Sequence, residues 1–263
     1  MSATDELYAP LIQAYKFFNR RLFDNNLPDV IFTLQRKKGV LGYFAAKRWG
    51  DIKGNFCNEI AINPAYFANS RMIEVMQTLV HEMAHCWQHA HGNPSDAHYH
   101  NKEWAQKMIS IGLMPSSTGE PGGEITGRAM SDFIIKEGKF LSLVTEFIGS
   151  DGFQLSWVDR YSLPRLFEPI IAELKDSDVP IAIIDETSEF SNIRYLSETE
   201  KINNMTLEKP VSNIMPPEFF VPEIAKKQTR VRYVCTRCDT KVYGKINLNI
   251  RCDDCNNIFI SDI

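Results

Sequence analysis

Leu79-Val80-His81-Glu82-Met83-Ala84-His85 is the stretch around which this chain of 263 residues is organised. It contains the pattern His-Glu-x-x-His, whose spacing puts both histidines on one face of a helix, one turn apart, where they can share a metal ion. The glutamate beside the first histidine is then placed to accept a proton from a water molecule at that metal. All six histidines of the chain lie within the twenty positions 81–100, which favours a metal site over a chance match.

The residues around this motif predict a helix. Asn69 and Ser70 offer N-cap oxygens, and Glu74 suits a first helical turn. Apolar residues recur at helical spacing over 72–87, and Gly92 marks the end. A buried helix whose histidines only make hydrogen bonds is the alternative interpretation.

The third protein ligand is less certain, since a catalytic zinc usually has three and keeps one position open. Gln88 replaces the glycine that the longer pattern His-Glu-x-x-His-x-x-Gly-x-x-His requires, so the helix should continue and aim His91 elsewhere. His89 would lie too far along the helix axis. His100 and Glu103, in a second predicted helical segment, remain, and spacing alone does not choose between them.

Several segments in the same order resemble the SprT/Spartan family of zinc metalloproteases. They are the motif stretch, Tyr99-His100-Asn101-Lys102-Glu103-Trp104 after a variable loop, and, upstream, Asn19-Arg20-Arg21-Leu22-Phe23, Leu41-Gly42-Tyr43-Phe44, Lys47-Arg48-Trp49 and Glu59-Ile60-Ala61-Ile62-Asn63-Pro64. The resemblance covers residues 5–115 and resumes at the C-terminus. In that family the third ligand is the histidine of a His-x-x-Glu-aromatic segment, so the resemblance implies His100.

The predicted activity is therefore that of a zinc-dependent endopeptidase. His81, His85 and His100 would hold the catalytic zinc, and Glu82 would transfer a proton from the attacking water to the leaving amine. Glu103 is predicted to orient one of the ligand histidines through a hydrogen bond.

The order of predicted elements indicates an α+β fold. An amphipathic helix over 5–24 precedes three short strands over 30–35, 41–48 and 57–62, and the metal-site helices follow. Together they predict a compact zincin-like metalloprotease domain over 1–118. A strand at the edge of such a cleft can pair with an extended peptide substrate, but the sequence does not show which strand lies at the edge.

The middle of the chain carries no recognisable catalytic pattern. Loop-forming residues over 116–127 predict the end of the protease domain. Residues 119–189 regain apolar content and predict a small middle module of unknown role, and 190–225, with four prolines, predicts a linker. Residues 128–225 hold 9 basic and 17 acidic side chains, so this part of the chain is a poor surface for DNA.

Two Cys-x-x-Cys pairs lie near the C-terminus, formed by Cys235 with Cys238 and Cys252 with Cys255. Four thiolates at this spacing predict a closed, structural zinc site in a zinc ribbon over 226–263, in addition to the catalytic zinc. Such a small module has too little core to fold without its metal.

Cysteine usage and hydropathy predict where the protein works. The two cysteines outside the pairs have no obvious disulfide partner, which suits a reducing cytoplasm. The N-terminus lacks a signal pattern, and no apolar run approaches the length that spans a bilayer. We therefore expect a cytoplasmic protein without a membrane partner.

Basic and aromatic residues of the ribbon predict a nucleic-acid surface. Residues 226–263 hold eight basic side chains against four acidic ones. The predicted nucleic-acid-binding residues are Lys226, Lys227, Arg230, Arg232, Arg237, Lys241, Tyr243 and Lys245. Basic groups neutralise phosphates and rings stack on unpaired bases, so we expect single-stranded or junction-containing DNA as a partner. A scaffold ribbon with a solvated surface is the alternative.

Basic residues also cluster in the first half of the chain, at Arg36-Lys37-Lys38 and Lys47-Arg48-Trp49. These clusters are either charged hairpin tips that protect strand edges or a phosphate-contacting rim with Trp49 as a stacking platform.

The family resemblance implies a DNA-associated protease that cleaves DNA-bound or DNA-crosslinked proteins. One alternative is a narrow-specificity regulatory metalloprotease that cleaves a transcription factor, and another is a non-catalytic nucleic-acid-binding zinc adaptor. The intact Glu82 argues against the adaptor, because a purely structural zinc site has no need of a general base.

Overall fold

A computed structural model of the chain describes residues 2–96, 99–149, 157–166, 170–173, 209–213, 216–221 and 230–262. The chain divides into two compact units, Met1–Val221 and Pro222–Ile263. The first unit combines helices with two small sheets and the second is a small sheet, so the predicted α+β class is confirmed.

The first unit begins with helix α1 (Ala3–Leu22). Ser2 Oγ accepts a hydrogen bond from the Asp5 N–H (3.2 Å), and the Asp5 carboxylate accepts one from the Ser2 N–H (3.0 Å). This reciprocal cap satisfies two amides that a helix N-terminus leaves unpaired. The buried face carries Leu11, Ala14, Tyr15, Phe18 and Leu22. The amphipathic helix predicted over 5–24 is therefore confirmed.

Three strands follow, β1 (Val30–Leu34), β2 (Gly42–Gly50) and β3 (Phe56–Ile62), and form a sheet in the order β1-β3-β2. β1 runs parallel to β3, and β2 runs antiparallel to it. The inner end of β3 is buried, with Ile60 and Ile62 in the main core. β1 and β2 are therefore the edges of this sheet.

Two helices follow the sheet: α2 (Met72–His91), which contains the His-Glu-x-x-His motif, and α3 (Lys102–Ile111). α2 packs against β2 and β3, and its apolar side is buried. α3 ends at Gly112, whose φ of 97° lies in the left-handed region. A Cβ there would come within 2.7 Å of the Phe140 backbone nitrogen, so both the conformation and the close approach require glycine.

A second sheet continues the same core. It has the order β4-β5-β6, with β4 (Leu113–Ser116), β5 (Ser131–Ile135) and β6 (Ile171–Ala172), and helix α4 (Lys139–Gly149) follows β5. The residues of this part that join the main core are Leu113, Ile134, Phe140, Leu143, Val144, Phe147 and Ile148.

The domain end predicted at residue 118 therefore falls inside one core. The Ser- and Gly-rich stretch after β4 is a compact connection between β4 and β5, held by a hydrogen bond from Ser116 Oγ to the Glu120 carbonyl (2.6 Å) and one from the Ser117 N–H to the Glu124 carbonyl (2.8 Å). Loop composition was a misleading signal because a tight connection and an interdomain linker use the same residue types.

A described part of the predicted middle module, residues 157–166, lies within the first unit and contacts the segment Pro64–Asn69. The Leu163 N–H donates to the Ala65 carbonyl (2.7 Å), and Asn69 Nδ2 donates to the Leu163 carbonyl (2.8 Å). Most of the rest of the predicted module over 119–189 beyond α4, and most of the predicted linker over 190–225, lie outside the described residues.

The second unit is a four-stranded sheet in the order β8-β7-β10-β9. Its strands are β7 (Val231–Cys235), β8 (Lys241–Gly244), β9 (Arg251–Cys252) and β10 (Asn257–Asp262). Its small core contains Val231, Tyr233 and Phe259 beside two of the cysteines.

Among the helices of the described ranges, none combines the length and the apolar character of a membrane-spanning segment.

Candidate metal centre and cleft

Helix α2 presents the motif as its spacing predicts. His81 and His85 lie one turn apart on the same side, with ring centroids 5.2 Å apart. The helix position is fixed by a buried face that includes Leu79, Val80 and Met83, all fully buried.

His100 comes from the segment that enters α3. The Asn101 side chain caps α3 by accepting a hydrogen bond from the Trp104 N–H (3.1 Å). His100 also forms an antiparallel bridge with Gly127, in which each N–H donates to the other's carbonyl (2.8 and 3.1 Å). These contacts bring the His100 ring to 4.7 Å from that of His85 and 5.8 Å from that of His81, measured between centroids.

The donor set of these three rings fits a zinc ion. One ligand nitrogen from each of His81, His85 and His100 lies within 4.8 Å of the other two. Tetrahedral zinc with Zn–N bonds of about 2.1 Å needs such nitrogens about 3.4 Å apart, a spacing that small ring movements reach. Three imidazoles also leave a fourth position open, as catalytic zinc sites do.

Asp132 on β5 orients His81, a role that no pattern in the sequence had indicated. His81 Nδ1 lies 2.8 Å from Asp132 Oδ1, and the carboxylate is buried. Gln77, one turn before His81, donates to the other carboxylate oxygen (2.6 Å) and to the Asp132 carbonyl (3.0 Å). A donor at Nδ1 leaves Nε2 of His81 as the lone-pair nitrogen that a metal requires.

The Gly127 carbonyl plays the same part for His100. It lies 3.1 Å from His100 Nδ1, which directs that proton away from the shared centre and leaves Nε2 for a metal. Both orienting groups, Asp132 and Gly127, lie beyond the segment that carries the motifs. The only sequence signal for Asp132 was a polar residue at the start of the apolar run that forms β5.

Burial and neighbouring charges shift the pKa values of His81 and His85 in opposite directions. Burial lowers the pKa of His81, but the hydrogen bond to Asp132 and the negative charges of Glu82 and Asp132 outweigh it, so the net direction is upward. The pKa of His85 is well below its usual range because of burial and repulsion from His81 and His100. His85 is therefore neutral near pH 7, the form that binds a metal.

The Glu82 side chain lies where α2 packs against β2. It is buried, with 6% of its surface exposed, and burial raises its pKa to about 7 although the His81 charge and a hydrogen bond from the Phe44 N–H lower it. Gly42 makes this approach of strand and helix possible, since a Cβ there would lie 3.0 Å from Thr78 Cγ2 and 3.4 Å from Glu82 Cγ. A carboxylate poised near neutral pH can accept and return a proton.

Trp104 forms the floor of the centre. Its ring is fully buried and lies 4.4–5.1 Å from the centroids of His81, His85 and His100, stacked at 18° on His85. Its Nε1–H has no hydrogen-bond partner within the described residues. The side chain is therefore placed for its ring surface.

The predicted role of Glu103 differs from the structure. Its carboxylate accepts hydrogen bonds from Gln88 Nε2 (2.8 Å) and from the N–H of Asn93 (2.7 Å). These contacts fasten the end of α2 to the start of α3, and the hydrogen bond that orients a ligand histidine comes from Asp132 instead. Glu103 makes these contacts because side chains in the first turn of a helix point back toward the residues that precede it.

The two other histidines weighed as ligands lie apart from the centre. His91 Nε2 is 2.8 Å from the Asn26 carbonyl, so the helix does continue past Gln88 and aims His91 away. The His89 ring contacts Phe44, with centroids 5.9 Å apart.

The histidine centre opens into a cleft of about 930 Å³. It is lined by residues 41–45, most of them in β2, and by residues 128–132, which extend into β5. Glu82 and the three histidines also line it. An extended peptide can lie along a free strand edge and pair with its backbone.

The four paired cysteines converge in the second unit. One sulfur from each of Cys235, Cys238, Cys252 and Cys255 lies within 4.8 Å of the others, and the Cys238 and Cys252 sulfurs are 3.7 Å apart. That distance matches the separation of about 3.8 Å expected around tetrahedral zinc with Zn–S bonds of about 2.3 Å. Hydrogen bonds from Thr240 lower the pKa of Cys238 to about 6, whereas its sulfur neighbours and burial raise that of Cys255. A cation would let all four ionise, so the set fits zinc.

The surface of this unit carries part of the predicted nucleic-acid set. Arg232 and Tyr243 are directly opposite each other on β7 and β8, with Lys241 two residues along. Tyr243 is 69% exposed, and Arg230, Arg232, Arg237, Lys241 and Lys245 are also exposed. Lys226 and Lys227 lie outside the described residues.

Comparison with known proteins adds one family and one relative. Residues 11–121 match the SprT-like family. An uncharacterized protein in the mucB 3' region of Salmonella typhimurium is 50% identical over 46 residues, which are 18% of this chain and 62% of that protein. The chain thus spans less than two thirds of that relative's length. No solved structure matches the chain.

Proposed function

We propose that the protein is a zinc-dependent endopeptidase of the His-Glu-x-x-His type, and the match of residues 11–121 to the SprT-like family supports this proposal. The observation that carries the proposal is the convergence of His81, His85 and His100 beside the buried Glu82, in a cleft with a free strand edge. A zinc adaptor without activity would need neither the base nor the cleft.

His81, His85 and His100 would hold the zinc, which when bound supplies a Lewis acid that acidifies a water molecule and polarises the scissile carbonyl. Asp132 and the Gly127 carbonyl keep two of these rings in the tautomer that offers Nε2. Trp104 fixes the ring planes from below. The protein thus pays little reorganisation cost when the site closes on the metal.

Glu82 is the proton carrier of the reaction. In its ionised form it accepts a proton from the attacking water, and it then donates that proton to the nitrogen of the leaving amine. Its burial supports this role, because a pKa near neutrality suits both halves of the transfer.

The edge of β2 is the proposed substrate guide. Residues 41–45 line the cleft, and among the described strands β2 pairs with β3 alone. A substrate in extended conformation would add a strand there and bring one of its peptide bonds to the histidines. Recognition through backbone hydrogen bonds selects little sequence, which suits a protease that cleaves varied proteins.

Substrates bound or crosslinked to DNA are the finer part of the proposal. Arg232, Lys241 and Tyr243 form a basic and aromatic surface on the second unit, which supports binding of unpaired DNA. The proposed enzyme works in the cytoplasm on DNA, where this unit recruits it to its targets.

The test compares cleavage of a DNA-binding protein by wild type and by Glu82→Gln, with and without single-stranded DNA, while zinc is counted in both. Glu124→Gln, on an exposed loop, is the matched control. We expect Glu82→Gln to keep its zinc and lose cleavage by about 10²–10⁴-fold, and DNA to accelerate the wild type and the control.

Cleavage by Glu82→Gln at the wild-type rate would contradict the mechanism. Cleavage that DNA does not change would remove the recruitment part and favour a regulatory protease with a narrow substrate. A fully zinc-loaded wild type that cleaves nothing in any condition would favour the adaptor.

A further inference from the structure

The outer end of the β2–β3 hairpin is an exposed projection of the first unit that carries both apolar and charged side chains. All eleven residues over 46–56 are exposed. Three of them are large and apolar, and the exposed fractions of their surfaces are 43% for Trp49, 104% for Ile52 and 69% for Phe56. Single exposed apolar residues are ordinary, but three at one hairpin tip indicate a contact surface.

The tip is held in one shape by its own turn. The Asp51 carboxylate accepts hydrogen bonds from the N–H groups of Lys53 and Asn55 (both 2.8 Å) and from Asn55 Nδ2 (2.7 Å). Gly54 supplies a positive φ of 87°, and its N–H donates to the Asp51 carbonyl (3.1 Å). Ile52 is thus presented to solvent by an ordered turn, so binding there would cost little ordering entropy.

A bulge changes the strand register at the base of the tip. The register between β2 and β3 shifts between Ala45 and Trp49, and Lys47 has a φ of 49°, which is unusual for a residue with a side chain. The Lys47 N–H donates to Asn58 Oδ1 (2.9 Å), which holds this conformation. Bulges of this kind redirect side chains at functional positions.

The two rings lie on opposite faces of the hairpin. Trp49 pairs with Cys57, whereas Phe56 pairs with Gly50, and side chains of successive residues alternate between faces. The Phe56 ring carbons lie 3.8 Å from where a Gly50 Cβ would be, so the ring lies over the Gly50 backbone. Each face of the hairpin tip therefore offers one flat apolar ring.

The charges around these rings are positive. Lys47, Arg48 and Lys53 are exposed, and the nearest acidic group of the tip, Asp51, is occupied by the turn. Arg48 Nε is 3.9 Å from the Glu59 carboxylate, and its side chain remains 70% exposed. The tip is thus complementary to a polyanion that also has flat apolar groups.

We propose that this hairpin tip binds an unpaired nucleic-acid strand, whose bases stack on Trp49 and Phe56 and whose phosphates contact Lys47, Arg48 and Lys53. This inference rests on the proposed function and extends it, since β2 also forms a wall of the cleft. Four residues of β2, about 13 Å of extended strand, separate Ala45 at the cleft from Trp49 in the tip. A strand bound there would hold an attached protein near the cleft, independently of the cysteine-rich unit.

The test measures binding of the full chain to fluorescent oligonucleotides of one sequence as single-stranded DNA, single-stranded RNA and duplex DNA. We expect Trp49→Ala with Phe56→Ala to weaken single-strand binding by about tenfold or more, in line with the loss of two stacked bases. Trp49→Phe keeps an aromatic ring at this position and should retain most of the affinity. Stacking of a base on Trp49 should quench its intrinsic fluorescence, and this part of the signal should be lost in Trp49→Phe. Tyr161→Ala is the matched control, since this exposed aromatic residue lies outside the hairpin.

The DNA and RNA arms identify which strand the tip prefers. Unchanged single-strand affinity in the double variant would overturn the proposal, as would a loss confined to binding of anionic phosphatidylglycerol vesicles, which would make the tip a membrane contact. Cleavage of an unstructured protein without nucleic acid is measured in parallel. It should be unchanged in the double variant, and its absence in the wild type would refute the peptidase proposal and leave the binding result intact.

Discussion

The two candidate metal-binding groups of this molecule are built in opposite ways. His81, His85 and His100 come from two helical regions, and Asp132 and Gly127 from a third region orient His81 and His100, all beside a large core. The four cysteines come from two short knuckles within 21 residues, beside a core of a few side chains. The first group is shaped by the fold, whereas the second is expected to shape the fold of its unit.

Loss of the metal should therefore affect folding differently at the two sites. A site that a packed core holds in place can lose its ion and keep its shape, which suits a centre with an open position for chemistry. A closed cysteine site couples its binding free energy to folding. Four substitutions test this difference between the two sites.

Cys252→Ser should unfold the second unit and leave the first intact. Structural zinc contributes on the order of 10 kcal/mol or more to such small units, far above what this core can replace. Amide dispersion in NMR spectra measures the loss, and zinc content should fall by one ion per chain. Cys57→Ser is the control, since Cys57 lies outside the cluster, and retained folding of the second unit in Cys252→Ser would contradict the comparison.

Trp104→Ala should damage the histidine centre through packing. Removing a fully buried indole costs about 3–5 kcal/mol, and the three rings lose their floor. Trp104→Phe should be much milder, because the indole N–H makes no hydrogen bond within the described residues. Thermal unfolding and zinc content measure both, and equal losses in the two variants would show that ring surface is not the role of Trp104.

Asp132→Ala should weaken zinc binding at the histidine site by about 10–100-fold. The cause is the lost hydrogen bond to His81 Nδ1. Asp132→Asn should recover part of the affinity, because its amide oxygen can still accept that bond. Chelator competition with the cysteine site saturated measures the affinity, and Asp96→Asn, also in the cleft, is the control. Equal affinity in Asp132→Ala and wild type would remove the orienting role.

Gly42→Ala should have the smallest effect on folding, about 1 kcal/mol, with a lower cleavage rate. The added Cβ meets the Ala61 carbonyl and Thr78 at 3.0 Å and presses on Glu82 at 3.4 Å. Gly50→Ala is the matched control on the same strand, since nothing there is closer than 3.8 Å. Thermal unfolding and peptide cleavage without DNA separate the two, and an equal cleavage rate in both variants would show that Glu82 tolerates the displacement.

Local spacing explains what could be predicted. The helix of His81 and His85 and the cysteine pairs follow from distances of three or four residues, which the chain geometry fixes by itself. The choice of His100 over Glu103 did not follow from spacing, since both lie near the same helix start. The direction of the first turn of α3 decides it, and only the resemblance anticipated that result.

Tertiary pairing explains what could not be predicted. Asp132 reaches His81 across 51 positions because β5 pairs with β4. The same pairing carries the core past the boundary predicted at residue 118. The bulge at Lys47 also escaped prediction, because the register shift depends on a side chain of the partner strand, Asn58.

The histidine site is tested most directly by counting zinc and its ligands in wild type and His100→Ala with elemental analysis and X-ray absorption. We expect two zinc ions per wild-type chain, one with nitrogen and oxygen neighbours and one with four sulfurs, and a single sulfur-bound ion in His100→Ala. A nitrogen-bound ion that persists in His100→Ala would show that the third ligand is another residue and that the proposed site is wrong.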